Sequence, residues 1–153
     1  MIRKFELSQA GMNGGEFVHP VRVYYEDTDA AGLVYYANYL RFAERARTEM
    51  TRVLGLEQGK LGQERDLYFV VRRCHADYRA PARLDDLLDI ATRITALGGA
   101  SMEMAQVVRR QAIDLVRLDV RLACINGAGR PVRIPEDVYR VFQGIVDAST
   151  RQD

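Results

Sequence analysis

The hydrophobic period of this chain changes along its length, and this change constrains the fold more than any other feature. Over residues 38–54, apolar side chains recur at helical spacing on one wide stripe, which predicts a long and well-buried helix. Beyond Asp66 the period becomes two, which is typical of strands with one buried and one solvated face. Four strands are predicted in this part, over residues 67–79, 87–97, 101–111 and 115–125.

The turns between these strands are too short to hold a crossover helix, so neighbouring strands are expected to pair antiparallel. The β-branched and aromatic run Phe17–Tyr25 predicts one further strand near the N-terminus. A short helix is predicted over residues 58–65 and a closing amphipathic helix from about Pro135. The predicted fold class is therefore α+β, with a five-stranded antiparallel sheet wrapped around one long central helix.

A chain of 153 residues, 48% of them apolar, fits one domain with a sizeable core. We expect a single domain over residues 16–148 and a flexible lead over residues 1–15, because that lead ends in GMNGG. No apolar run is long enough for a signal-peptide core or a membrane span, and Cys74 and Cys124 stand outside any metal-ligand spacing. These features favour a cytoplasmic protein that does not insert into a membrane.

The net charge argues against one class of function. With 22 Lys plus Arg against 21 Asp plus Glu, the formal charge is +1, which gives no field that would attract nucleic acid. The basic residues are nearly all arginines, whose planar fork binds phosphate oxygens, so the composition is compatible with a nucleotide-tailed small molecule. The best local candidates for phosphate binding lie at strand ends and turns: Arg79, Arg83, Arg130 and Arg133.

A polar turn with the sequence EDTDAAG, residues 26–32, joins the first strand to the long helix. It places Asp27 and Asp29 just ahead of a helix start, where unpaired backbone N–H groups and the helix dipole favour negative charge on an oxygen atom. A carbonyl held there would be polarised, and an aspartate upstream could attack it or activate a water. Asp and Gly are also ordinary turn residues, so the short motif alone leaves a purely structural role open.

The wider sequence decides between these interpretations. Three stretches closely resemble the YbgC-type acyl-CoA thioesterases of the 4-hydroxybenzoyl-CoA thioesterase family, which have the hot-dog fold: Val21–Glu49, Phe69–Ile90 and Arg130–Pro135. The resemblance extends over nearly the whole chain after Phe17. It implies hydrolysis of acyl-CoA thioesters to free acid and CoA. We expect no metal and no resident cofactor, because the CoA thiolate is already a good leaving group.

The resemblance also implies roles for individual residues. The second aspartate of the motif, Asp29, matches the catalytic carboxylate of the family, and the backbone N–H of Tyr36 matches the donor to the thioester oxygen. YbgC members often have His where Tyr36 stands, so any help from a histidine side chain is absent here. Asp29 is either a nucleophile or a general base, and Asp27 is a second candidate for which a turn-stabilising role is favoured.

Substrate-binding candidates surround this segment. Tyr25 and Asn38 flank it, and each either orients Asp29 or caps the helix, while Gly32 closes the turn. Hot-dog proteins form dimers, often tetramers, with active sites at subunit boundaries, so the resemblance implies that residues of a partner within Val70–Arg73 complete the site. The full set of substrate-binding candidates is Tyr25, Gly32, Asn38, Val70, Val71, Arg79, Arg130 and Arg133.

Two rival functions have distinct requirements. A 3-hydroxyacyl thioester dehydratase on the same fold needs a catalytic His beside an acid, and both His19 and His75 lie outside the D-x-D segment. A partner of acyl-carrier protein or of an envelope complex would bind acyl thioesters with little turnover, but the retained Asp29 argues against this. Short, long and aromatic acyl groups all remain open, and acyl-carrier protein remains open as the donor.

Overall fold

The computed structural model describes residues 11–150, which form six β-strands and three α-helices around one core. The strands are β1 (Gly11–Asn13), β2 (Glu16–Arg22), β3 (Tyr68–Tyr78), β4 (Leu87–Leu97), β5 (Ser101–Arg110) and β6 (Ile113–Ile125). The helices are α1 (Asn38–Val53), α2 (Gln58–Arg65) and α3 (Glu136–Thr150).

All six strands belong to one antiparallel sheet with the order β1-β2-β4-β5-β6-β3. The hairpins β4-β5 and β5-β6 form its centre, and β3 lies at the far edge of the sheet that residues 11–150 form, where it pairs with β6. Helix α1 packs against β2, β4 and β5. This arrangement confirms the predicted α+β class with antiparallel pairing around one long helix, as the hot-dog resemblance implies.

The predicted strand count is wrong by one. The sixth strand is β1, in the segment that was expected to be a flexible lead, and Gly11 pairs with Val18 while Asn13 pairs with Glu16. Gly14 and Gly15 make this tight hairpin, since their φ angles of 59° and 84° are readily adopted only by glycine. Residues 1–10 of the expected lead lie outside the described part of the chain.

The first predicted strand is also too long. Strand β2 ends at Arg22, and Tyr25–Asp27 form a 3₁₀ turn instead of continuing it. The aromatic and β-branched composition of this stretch favours a strand, but the Asp27 carboxylate accepts a hydrogen bond from the Tyr24 backbone N–H at 2.8 Å and stabilises a turn. This turn directs the chain away from the sheet and toward the start of α1.

The core lies between α1 and one face of the sheet, here called the inner face. Phe42, Ala43, Ala46 and Met50 project from α1 with no solvent exposure. They meet alternate residues of β4, β5 and β6, which follow the strand period of two. The sheet residues in this layer include Leu88, Ile90, Met102, Met104, Val108, Leu118 and Val120.

One polar group is buried in this layer. The amide of Gln106 is fully buried, and it donates to the Ala43 carbonyl at 2.9 Å and to the Thr92 hydroxyl at 2.9 Å. Its oxygen accepts a hydrogen bond from the Arg47 guanidinium at 2.9 Å. Each of these three hydrogen bonds connects α1 or β4 to β5. The Gln106 amide therefore holds the helix against the sheet.

Replacing Gln106 by methionine is expected to lower the free energy of unfolding by roughly 2–4 kcal/mol, because the half-buried Arg47 and the Thr92 hydroxyl lose their partner. Urea denaturation measures this change. The matched control is Gln63→Met on the exposed surface of α2, which we expect to change stability by less than about 0.5 kcal/mol. A Gln106→Met variant as stable as this control would show that the network contributes nothing to holding α1 on the sheet.

Candidate active site

The Asp29 side chain is fixed by a tight turn between β2 and α1. Its Oδ1 atom accepts hydrogen bonds from the backbone N–H groups of Ala31 at 2.8 Å and Leu33 at 3.2 Å. Gly32 completes the turn with a φ of +76°, a conformation that a side chain would strain. Oδ2 makes no hydrogen bond to any residue of 11–150, so one carboxylate oxygen is held and the other is available.

Asp27, the other aspartate of the motif, is buried and hydrogen-bonded within the turn. Asp27 is 8% exposed, and its carboxylate accepts the Tyr24 N–H described above. Its carbonyl oxygen accepts hydrogen bonds from the Tyr35 N–H at 2.9 Å and from the Asn38 side-chain amide at 2.8 Å. Asp27 therefore connects the turn to the start of α1 and does not line the cavity that contains Asp29.

The start of α1 differs from the expectation in one respect. The helix begins at Asn38 with Ala37 in the N-cap position, so the prediction that Asn38 caps the helix is wrong. The Asn38 side chain is buried and bonded to Asp27, and its backbone N–H donates to the Tyr35 carbonyl at 2.8 Å. The Tyr36 N–H has no acceptor within residues 11–150, which leaves it free to donate to a ligand.

Asp29 and Tyr36 line one cavity of about 420 Å³. Four tyrosines dominate its walls, and we call it the tyrosine cavity. Its lining residues are Asp29, Leu33, Val34, Tyr35, Tyr36, Tyr39, Tyr78, Arg79, Ala80 and Pro81. The lining thus combines a carboxylate that has one unbonded oxygen with a residue whose backbone N–H is unpaired within residues 11–150, beside partly apolar walls, which is a combination expected of a ligand-binding or active site.

The tyrosine hydroxyls hold this wall in place. Tyr78 donates to the Tyr36 carbonyl at 3.2 Å, and the two rings meet edge to face with centroids 6.0 Å apart. The Tyr39 hydroxyl accepts the Ala82 backbone N–H at 2.9 Å and so ties the loop after β3 to α1. Burial raises the pKa of Tyr39 and of Tyr78, so both phenols stay uncharged at neutral pH.

Within one chain, some of the predicted site residues lie together and others lie elsewhere. Asp29, Tyr36 and Arg79 share the tyrosine cavity, while Gly32 and Asn38 support its turn and helix start. Tyr25 is 83% exposed and, like Val70, lies outside the cavity lining. The remaining three lie elsewhere: Val71 lines a second cavity, Arg133 a third, and Arg130 is in the exposed turn after β6.

Several lining residues were not identified from the sequence. Tyr39 was placed on the buried helix stripe, which is correct, but it also lines the tyrosine cavity. Tyr78 and Pro81 lie in the stretch Phe69–Ile90 that resembles the family, but no role was assigned to either, and both are far from Asp29 along the chain. The alternation of β3 gives the face on which Tyr78 lies, yet only the tertiary fold brings that face to the start of α1. Within residues 11–150, no three His, Cys, Asp or Glu side chains are grouped so that they could hold a metal ion.

Comparisons with known proteins agree on one family. A family model described as the thioesterase-like superfamily matches residues 23–142. The acyl-CoA thioesterase YbgC of Haemophilus influenzae is 45% identical over 127 residues, 82% of this chain and 93% of that protein. The acyl-CoA thioester hydrolase YbgC of Escherichia coli is 44% identical over 134 residues, 86% of this chain and 99% of that protein. The crystal structure of a probable thioesterase from Bartonella henselae superimposes with a TM-score of 0.75 at 40% identity, covering 77% of this chain and 98% of the other.

Proposed function

We propose that this chain, which belongs to the thioesterase-like superfamily, hydrolyses acyl-CoA thioesters to free acid and CoA with Asp29 as its catalytic carboxylate. One observation carries the proposal. Asp29, whose Oδ2 makes no hydrogen bond within residues 11–150, and Tyr36, whose backbone N–H has no acceptor there, line the same cavity ahead of the same helix. A thioester placed between them meets a nucleophile or base on one side and a donor to its oxygen on the other.

In the proposed mechanism, the Tyr36 N–H donates to the thioester carbonyl oxygen, which gains negative charge as the carbonyl carbon becomes tetrahedral. Asp29 acts from the opposite side by one of two routes. It attacks the carbonyl carbon, expels the CoA thiolate and leaves a mixed anhydride that water hydrolyses. Alternatively, it takes a proton from a water that attacks the carbon, and the thiolate then leaves. One oxyanion donor contributes about 100- to 1,000-fold in rate and a general base about 100- to 10,000-fold.

We propose that this hydrolysis uses no resident cofactor, with coenzyme A present only as part of the substrate. A thiol of ordinary acidity has a pKa of about 8.5, so its thiolate leaves readily without a Lewis acid. The two groups offered by the tyrosine cavity are then sufficient for the chemistry.

Free-thiol release from a panel of acyl-CoAs, with acyl-carrier-protein thioesters in parallel, tests the activity. We expect one free thiol and one free acid to be released for each thioester consumed. Single-turnover rates then separate the rate of the chemical step from that of product release. An acyl-carrier-protein or envelope-complex partner would bind the acyl thioester without releasing thiol. A dehydratase would interconvert 3-hydroxyacyl and enoyl thioesters instead, so either outcome would replace the thioesterase assignment.

We propose further that the active form is a homodimer joined through β3. This strand is 11 residues long, lies at the sheet edge and exposes side chains on both faces. Its inner-face residues are those that pair with the buried core positions of β6. They are Phe69, Val71, Cys74, Ala76 and Tyr78, of which Val71 and Tyr78 remain 47% and 43% exposed. An apolar strip beside a free edge is unfavourable in water, and pairing with a second β3 would cover both.

A charge in the middle of this strip is expected to separate the protomers. Cys74→Arg should convert a dimer to a monomer in light scattering at micromolar concentration, and thiol release should fall with it. His75→Arg is the matched control, because its cross-strand partner is the exposed Asp119 and its side chain lies on the outer face. A wild-type protein that is monomeric at micromolar concentration would contradict the shared-site proposal.

We also propose that the protein is cytoplasmic. Both cysteines are free, Cys74 exposed and Cys124 buried, which suits a reducing compartment. Within residues 11–150, every helix is too short or too polar to span a bilayer.

A further inference from the structure

Tyr36 belongs to two peptide groups, and a different residue holds each of them. The first group joins Tyr35 to Tyr36 and carries the N–H that we assign to the thioester oxygen. Its carbonyl oxygen, on Tyr35, accepts the Asn38 backbone N–H at 2.8 Å. The second group joins Tyr36 to Ala37, and its carbonyl oxygen accepts the Tyr78 hydroxyl at 3.2 Å. Within residues 11–150, this hydroxyl is the only donor to the Tyr36 carbonyl.

The backbone of Tyr78 is anchored to the sheet at the end of β3. Its cross-strand partner in β6 is Val116, which is fully buried. The next two residues, Arg79 and Ala80, donate their backbone N–H groups to the Leu115 carbonyl at 2.8 and 3.1 Å. The Tyr78 side chain therefore projects from a rigid part of the fold.

The Tyr78 ring packs against two other aromatic rings. Its centroid lies 5.8 Å from that of Tyr39, which is buried in the first turn of α1, and 6.0 Å from that of Tyr36. Burial raises the pKa of Tyr78, so the hydroxyl keeps at neutral pH the hydrogen that it donates. These contacts all lie within one chain, so they are also present when a second β3 covers the apolar strip.

The direction of the Tyr36 N–H depends on the backbone angles around Tyr36. This residue lies between two fixed segments, because the Tyr35 N–H donates to the Asp27 carbonyl at 2.9 Å and α1 begins at Asn38. An oxyanion donor is effective at about 2.7–3.1 Å from the charged oxygen, and a misplacement of about 1 Å can lower a rate by roughly 100-fold. A hydrogen bond to the carbonyl between these segments restricts the remaining freedom.

We propose that Tyr78 is a positioning residue for thioester hydrolysis, and that its hydroxyl, by holding the Tyr36 carbonyl, keeps the Tyr36 N–H directed at the thioester oxygen. This role rests on the proposed function, in which that N–H binds that oxygen. Tyr78 itself contacts none of the reacting atoms. The donor at Tyr36 thereby depends on a residue that lies 42 positions further along the chain.

Tyr78→Phe tests this role, because it removes the hydroxyl and keeps the ring. We expect kcat to fall about tenfold, which is less than the loss on removing the donor itself, because the N–H is present but less well directed. KM should change by less than about twofold, since the acyl-CoA still binds between the same walls. A variant with the wild-type kcat, or one in which only KM changes, would overturn the proposal.

Tyr68→Phe is the matched control. Tyr68 lies at the other end of β3, is similarly exposed, and its hydroxyl also donates to a backbone carbonyl, that of Gly62, at 3.4 Å. It lies outside the tyrosine cavity, so we expect its kcat to equal that of wild type. Both variants are measured well below their thermal midpoints, so that loss of folded protein cannot account for a lower kcat.

A double-mutant cycle with Tyr36→Pro, which lacks the backbone N–H, tests whether Tyr78 acts through that group. Independent effects on a rate multiply, whereas two changes that remove the same interaction do not. We expect Tyr78→Phe to lower the kcat of the Tyr36→Pro variant by less than about twofold. A further tenfold loss in this background would contradict the proposal, because the hydroxyl would then act without the N–H.

The same cycle separates failure of the positioning role from failure of the proposed function. A Tyr36→Pro variant with the wild-type kcat would refute the donor role of the Tyr36 N–H, and the role of Tyr78 with it. A slow Tyr36→Pro variant beside a Tyr78→Phe variant as fast as wild type would refute the role of Tyr78 alone.

Discussion

Replacing Asp29 by asparagine is expected to lower kcat by about 100- to 10,000-fold while leaving the fold intact. The substitution keeps an oxygen that can accept the Ala31 and Leu33 N–H groups, so the turn should persist. It removes the negative charge of a side chain that lines the tyrosine cavity. Stopped-flow or steady-state thiol release, together with thermal unfolding of the same samples, measures both effects.

Asp27→Asn is the matched control for this experiment. It also replaces a carboxylate by an amide, two residues away, at a buried position whose side chain stabilises the turn. We expect kcat to change by less than about tenfold, since an amide oxygen can still accept the Tyr24 N–H. An Asp29→Asn variant that turns over as fast as wild type, or an Asp27→Asn variant that is the more damaged of the two, would reverse the assignment of the two aspartates.

The second large effect is expected at Tyr36, where the backbone and not the side chain is proposed to act. Tyr36→Pro removes the N–H that would bind the thioester oxygen, and kcat should fall by about 100- to 1,000-fold. Because this N–H has no acceptor within residues 11–150, its loss breaks no internal hydrogen bond there. The thermal midpoint of the variant establishes that α1 still forms.

Tyr36→Phe and Tyr36→His retain the backbone donor and serve as controls. Both should stay within about tenfold of the wild-type kcat, with changes mainly in KM because the tyrosine cavity is reshaped. If the phenylalanine variant lost as much activity as the proline variant, the hydroxyl would be the catalytic group. A histidine variant much faster than wild type would show that the side chain found in many YbgC members adds catalysis that this chain lacks.

Periodicity predicted most of the secondary structure because the core layer is regular. The limits predicted for α2 and β4 match those observed, and the α1 prediction differs by one residue at its end. Strand β1 was not predicted because the sequence GMNGG is typical of a flexible loop. Its formation depends on pairing with β2 and on positive φ angles at two glycines. Neither can be predicted from local composition.

The candidate site shows a similar division. Asp29, Gly32 and Tyr36 form one local segment, so a sequence motif can identify them. Asn38 has the right chemistry for an N-cap, but its side chain bonds to the Asp27 carbonyl instead, which depends on how the turn folds back. Tyr78 reaches the site only through the tertiary fold.

The most direct test of the catalytic account is a crystal structure of the Asp29→Asn variant bound to an intact acyl-CoA. The account predicts that the thioester carbonyl oxygen lies about 2.7–3.1 Å from the backbone nitrogen of Tyr36, with the side chain at position 29 on the opposite side of the carbonyl carbon. A thioester bound in another cavity, or a Tyr36 N–H that faces no atom of it, would contradict the account.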